Sequence, residues 1–272
     1  MKPILIIALV LKAGMELQAQ VLDGVYQKKN ISTDQLMTYP YLREADVMWS
    51  RTRWRKLDLR EKINLPLYYP IQSIGNRQSL TQVLTEAVNE GSLTAFAPFD
   101  DEFTTVLSAS ELKTLFFSSD TIMVDDPDNP DQKISKIIRQ ELDLSEIVEY
   151  RIKEEWFFDK QRSVMDVRII GLMPIRKQVV EDEVRAKALF WIYFPEARTI
   201  LNNKEVFNRH NDAARLSFDD IFSKRMFSSY IYKESNVYDR PITDYTYGQD
   251  ALLEADRIKK NMFDMESDYW EY

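Results

Sequence analysis

Ile147-Val148-Glu149-Tyr150-Arg151-Ile152-Lys153-Glu154-Glu155-Trp156-Phe157-Phe158 decides the fold class. Val148, Tyr150 and Ile152 alternate with Glu149, Arg151 and Lys153, and Trp156 and Phe158 continue the run. Successive side chains of a strand point to opposite faces, so this period of two buries one face and wets the other. Asp159, Lys160, Gln161 and Arg162 are polar and turn the chain. Met165, Val167 and Ile169 then restore the alternation, which predicts a two-stranded antiparallel meander over 147–175. Leu189-Phe190-Trp191-Ile192-Tyr193-Phe194 is apolar on both faces and predicts a third, central strand that ends at Pro195.

Helices flank these strands. Leu80, Val83, Leu84, Ala87 and Val88 form one apolar stripe, which predicts a helix over 78–90. Ser79 and Gln82 supply a capping box, and Gly91 suits the left-handed stop. Shorter signals predict a strand over 93–96, a helix over 111–116, a capped helix start at Ser217-Phe218-Asp219-Asp220 and a strand over 230–232. Leu252, Ala255, Ile258, Met262, Met265 and Tyr269 make the seam of an amphipathic helix over 249–269.

Upstream, Val47, Trp49, Trp54, Leu57 and Leu59 are the first apolar anchors, and 51–59 reads as a strand. Arg51, Arg53 and Arg55 fall on one side of it, with Lys56 beside them; the pattern fits a solvated face or an anion or partner site. Leu65-Pro66-Leu67-Tyr68-Tyr69-Pro70 holds two prolines, which predicts extended backbone there. The sum is a single α+β domain, an antiparallel sheet packed by helices, with an extended N-terminal arm. Residues 1–19 read as a signal peptide: Lys2, an apolar run over 4–11, and a small-residue cut site at Leu17-Gln18-Ala19. That run is far shorter than the ~20 residues of a membrane span, so no direct membrane span is expected. Residues 20–43 form the arm and 44–272 the domain.

Composition narrows function. The 272 residues carry a net charge of −8, which disfavours nucleic acid as a partner. No cysteine is present, which excludes disulfides, thiol nucleophiles, Cys-bound zinc and a lipid-bearing cysteine. The six glycines form no phosphate-binding or dinucleotide-binding loop. His210 is the only histidine, with no nucleophile elbow to serve. Asp125-Asp126-Pro127-Asp128-Asn129-Pro130-Asp131 fails the calcium-loop pattern, since Asp131 stands where Gly is needed and Ile137 where Glu is needed. Asp219-Asp220 and Glu154-Glu155 are the acidic pairs that a carboxylate-pair hydrolase would use, yet helix-start aspartates cap and adjacent strand glutamates diverge. No catalytic, cofactor-binding or metal-binding residue is assigned. Tyr39, Tyr41, Tyr68, Tyr69, Trp270 and Tyr272 sit beside prolines or near position 272, where aromatics either staple loops or anchor a partner protein.

Several blocks in order resemble one family. Asp46-Val47-Met48-Trp49-Ser50, Trp54, Asp58-Leu59-Arg60-Glu61 and Leu67-Tyr68-Tyr69-Pro70 look like the first block of GldN/PorN proteins. Phe190-Trp191-Ile192-Tyr193-Phe194-Pro195-Glu196-Ala197-Arg198 resembles the middle block. Phe207-Asn208, Ser217-Phe218-Asp219-Asp220, Tyr232-Lys233-Glu234-Ser235-Asn236-Val237-Tyr238-Asp239-Arg240, Asp256-Arg257-Ile258-Lys259 and Trp270-Glu271-Tyr272 resemble the last. The resemblance implies a non-catalytic periplasmic protein of the type IX secretion and gliding machinery. It implies a multi-copy ring built with a GldK/PorK-type outer-membrane lipoprotein and contact with a GldM/PorM-type motor protein. On this reading the arm and Tyr39-Pro40-Tyr41 dock on the lipoprotein. A periplasmic carboxylate-pair hydrolase and a carbohydrate- or peptide-binding module are the alternatives.

Overall fold

The alternating run folds as its period requires, with Ile147–Asp159 antiparallel to Val164–Val180. The computed structural model describes residues 36–125, 133–180, 183–211 and 213–270. The segment 1–19, most of the arm, most of the acidic loop at 125–131, and Tyr272 lie outside the described residues. Along the chain the elements are β1 (Val47–Asp58), α1 (Leu65–Tyr68), α2 (Leu80–Asn89), β2 (Ala95–Phe96), α3 (Ala109–Phe116), β3 (Phe117–Asp125) and β4 (Lys133–Glu141). They continue as β5 (Ile147–Asp159), β6 (Val164–Val180), β7 (Glu183–Ala188), β8 (Trp191–Tyr193), α4 (Phe194–Asn202), β9 (Glu205–Val206), β10 (Leu216–Ser217), α5 (Phe218–Ser223), β11 (Tyr230–Glu234) and α6 (Gln249–Trp270). The result is an α+β domain on an antiparallel sheet ordered β11-β1-β5-β6-β8-β2, with β7 also paired to β6. The hairpin of β3 and β4 forms a separate sheet that no apolar alternation had signalled.

The sheet has two unlike faces. Leu57, Leu59, Tyr150, Ile152, Ile169 and Leu172 meet the apolar stripes of α2, α4 and α5 in the main core. A bulge in β6 makes this possible: Lys153 faces Gly171 and Glu154 faces Ile169, so Ile170 is skipped and the inward parity is reset. Each fully buried Leu or Ile here contributes roughly 1.5–3 kcal/mol. On the other face Trp54, Phe96, Met173, Ile175 and Trp191 form a smaller cluster, covered by Phe103. A Cβ at Gly171 would meet the Phe103 ring at 2.5 Å, so the bare glycine admits that ring. The loop carrying Phe103 is braced by Asp100, whose carboxylate accepts from Glu102 N, Thr104 N, Thr104 Oγ1 and Thr105 N.

Local signals explain the helices. Capping boxes join Ser79 to Gln82 at α2 and Ser217 to Asp220 at α5, and Gly91 takes φ +73° after α2. Three expectations are corrected. The predicted strand over 189–194 is only Trp191–Tyr193, because Pro195 lies in the first turn of α4, where its missing N–H costs nothing. Pro66 likewise opens α1, so Tyr68 is helical and only Tyr69 is extended before a cis Pro70. In α6 the buried seam is Ala255, Ile258 and Met262, while Leu252 is exposed.

Between the main core and α6 the same sheet face carries charge. Arg53 and Arg55 are buried, which corrects the solvated-face reading. Arg53 pairs with Glu234 at 2.7 Å. Glu154, with no exposed surface, lies 3.4 Å from Arg55 and 2.9 Å from Arg225 and accepts from Trp156 Nε1 at 2.9 Å. Burial pulls both the Arg53 and Arg55 guanidinium groups below the usual arginine range, with Glu234 and Glu154 opposing that fall. Beyond this seam Ile231, Ile242 and the α6 seam form a satellite core.

Candidate functional site: an apolar groove and an arginine clamp

The segment 65–70 builds one wall of a groove. Leu67 is anchored in the core, and Tyr68 donates its hydroxyl to Ser145 O at 2.9 Å. Tyr69 packs edge-on against Tyr68, 4.9 Å between ring centroids, and stays 51% exposed. Opposite stands Phe207, 49% exposed, displayed just after β9 because Val206 is sunk in the core. Arg77 lies over the Phe207 ring at 5.8 Å, held by a tight turn in which Ile74 and Arg77 exchange backbone hydrogen bonds around Gly75. Arg209 donates to Lys62 O at 2.7 Å. Two adjoining hollows, of about 350 and 210 Å³, share Pro66, Phe207 and Arg209. An aromatic-lined, mostly apolar trough with arginines on its rim suits a protein segment better than a small charged substrate.

The second feature holds the arm. Arg198 of α4 donates to both carboxylate oxygens of Asp219, at 2.8 and 3.0 Å, with both side chains buried. Its guanidinium lies 4.1 Å from the Tyr39 ring centre, and its Nη2 donates to Met37 O at 2.7 Å. Arg168 of β6 reaches the same ring at 5.1 Å and donates to Pro40 O at 2.6 Å. Burial pushes the Tyr39 hydroxyl up from its ordinary value of 10.0, while Arg198 works the other way.

The nominated aromatics therefore part company. Tyr39 is clamped and Tyr68 is tethered, whereas Tyr41, 89% exposed, and Tyr69 face outward. Trp270 closes α6. The structure adds Phe207, Ile74 and Arg77, which the sequence does not mark as site residues. His210 is exposed on the rim of the smaller hollow. Among the residues lining the two hollows, Glu205 is the only acid. Three of the four acids of the candidate pairs are engaged, Asp219 by Arg198, Asp220 by the Ser217 cap and Lys224, and Glu154 by two arginines, while Glu155 follows Glu154 on the opposite face of β5. A polar hollow of about 320 Å³ brings Glu234 near Glu254, and these too are bound, to Arg51 and Arg53 and to Arg257. Among the described residues, no group of three or more metal-ligating side chains is arranged to hold an ion.

A family described as "Gliding motility associated protein GldN" matches residues 42–271. The chain belongs to the GldN family. No curated protein matches it. The groove and Arg198, Arg168 and Asp219 fall within the span matched by GldN, whereas Tyr39 lies just before it. Among the described residues of this GldN-family chain, no helix is long and apolar enough to cross a membrane.

Proposed function

We propose that this chain is a non-catalytic building block of the periplasmic ring of the type IX secretion and gliding machinery. It assembles in multiple copies with a GldK/PorK-type outer-membrane lipoprotein and contacts the periplasmic part of a GldM/PorM-type motor. The observation that carries this reading is family membership across 42–271. The chemistry of the molecule supports it, since Asp219, Asp220 and Glu154 are bound in ion pairs or a cap and Glu205 is the single carboxylate among the described residues lining the groove. The groove around Tyr69 and Phe207, together with exposed Tyr41, supplies the contact with the lipoprotein.

Affinity isolation of the tagged chain from an envelope fraction, followed by mass spectrometry, tests the assignment. The expected result is co-purification of the lipoprotein and motor components. Recovery of the chain alone from the cytosol would overturn it.

A further inference from the structure

We propose that the Arg198–Arg168 clamp is a receptor for residues 37–40 of a second copy of this chain, so that neighbouring copies exchange their N-terminal arms. The receptor is built without the arm, because Asp219 alone fixes the Arg198 guanidinium in a buried bidentate pair. Arg168 is also stacked at 5.3 Å over Phe157, and its buried Nε has no hydrogen-bond partner among the described residues. The ligand is an extended peptide, read through two backbone carbonyls, Met37 O and Pro40 O, and one ring, Tyr39. None of these contacts depends on the arm being continuous with the same body.

The connection to β1 permits the exchange. Among the described residues, no backbone hydrogen bond ties 36–42 to the sheet. Tyr41, Arg43, Glu44 and Ala45 are exposed, and the first fixed point is Asp46, whose carbonyl accepts from Lys160 N. The stretch 41–45 spans up to about 17 Å when extended, which lets the arm leave its own body. Exchange keeps every contact, so the balance between closed and exchanged forms depends on how close the next copy stands. The inference deepens the multi-copy reading above and rests on it for the neighbouring copies.

Sedimentation equilibrium on full-length purified chains tests it. Tyr39→Ala disables the arm and leaves the clamp, whereas Arg168→Ala weakens the clamp and leaves the arm and the Arg198–Asp219 pair. The expected result is self-association of the unaltered chain and roughly tenfold weaker association of either variant alone. Association returns when the two variants are mixed, since the intact clamp of one takes the intact arm of the other. Circular dichroism checks that both fold; should Arg168→Ala fail, Arg168→Gln replaces it. A monomeric unaltered chain, variants that associate undiminished, or a mixture that recovers nothing would each overturn the exchange. Isolation of envelope partners is read separately, so loss of arm exchange leaves the ring assignment standing or falling on its own result.

Discussion

The main core and the C-terminal helix lie on the same sheet face but are held by different physics. Under α2, α4 and α5 the contacts with the sheet are mainly aliphatic and aromatic, from Leu57 and Ile152 to Leu84, Phe194 and Phe222, and the buried Arg198–Asp219 pair joins α4 to α5 rather than to the strands. Under α6 the apolar cluster holds five buried residues among those described, and charge separates it from the main core: Arg53 with Glu234, and Arg55 and Arg225 with Glu154. Apolar burial is non-directional and scales with the area removed from water, whereas a buried ion cluster is stable only while each charge keeps its partner. The comparison teaches that one sheet face can carry a self-sufficient core and, one strand register further on, a conditional one.

Leu84→Asp attacks the first region and has the largest expected effect. A carboxylate buried without a partner costs more than about 4–5 kcal/mol, enough to unfold the domain in a thermal or denaturant melt. Glu154→Ala attacks the boundary: Arg55 and Arg225 lose their shared carboxylate, at a cost of about 3–5 kcal/mol. Hydrogen exchange is expected to rise first in β11 and α6, and uniform loss across α2 would break the comparison. Ile258→Ala removes packing from the satellite alone, costing about 2 kcal/mol and loosening α6 while α2 stays protected.

The smallest effect is acid sensitivity. Arg257 donates two hydrogen bonds to Glu254 and holds its carboxyl below the ordinary value of 4.5. A depressed carboxylate contributes stability above its unfolded pKa and loses it as pH falls through the folded one. Amide protection in α6 is therefore expected to fade below about pH 4.5 before that of α2 does, and the Glu254→Gln chain should lack this early step.

Much of this was legible in the residues. Period two predicted β5 and β6, and the stripe from Leu80 to Val88 with Ser79, Gln82 and Gly91 predicted α2 and both its ends. The sequence could not reveal that Arg53 and Arg55 turn inward, because their partners Glu234 and Glu154 lie far along the chain. The short reach of β8 was hidden by proline's double role as strand breaker and helix opener. Half of the groove was visible as the Tyr-Tyr-Pro segment. Its other wall was not, since Phe207 looks like any core aromatic until β9 ends beside it. The clamp was invisible for a related reason: the residues around Tyr39 leave it either a loop staple or a partner anchor, and only the fold brings Arg168 and Arg198 to one ring.

Phe207→Asp tests most directly the proposed association of this molecule through its groove. The side chain is half exposed, so the variant is expected to keep the circular dichroism and melting behaviour of the unaltered chain. The measurement is recovery of the lipoprotein partner from envelopes by the tagged variant. Loss of that recovery with the fold intact is the predicted result; full recovery would contradict the account.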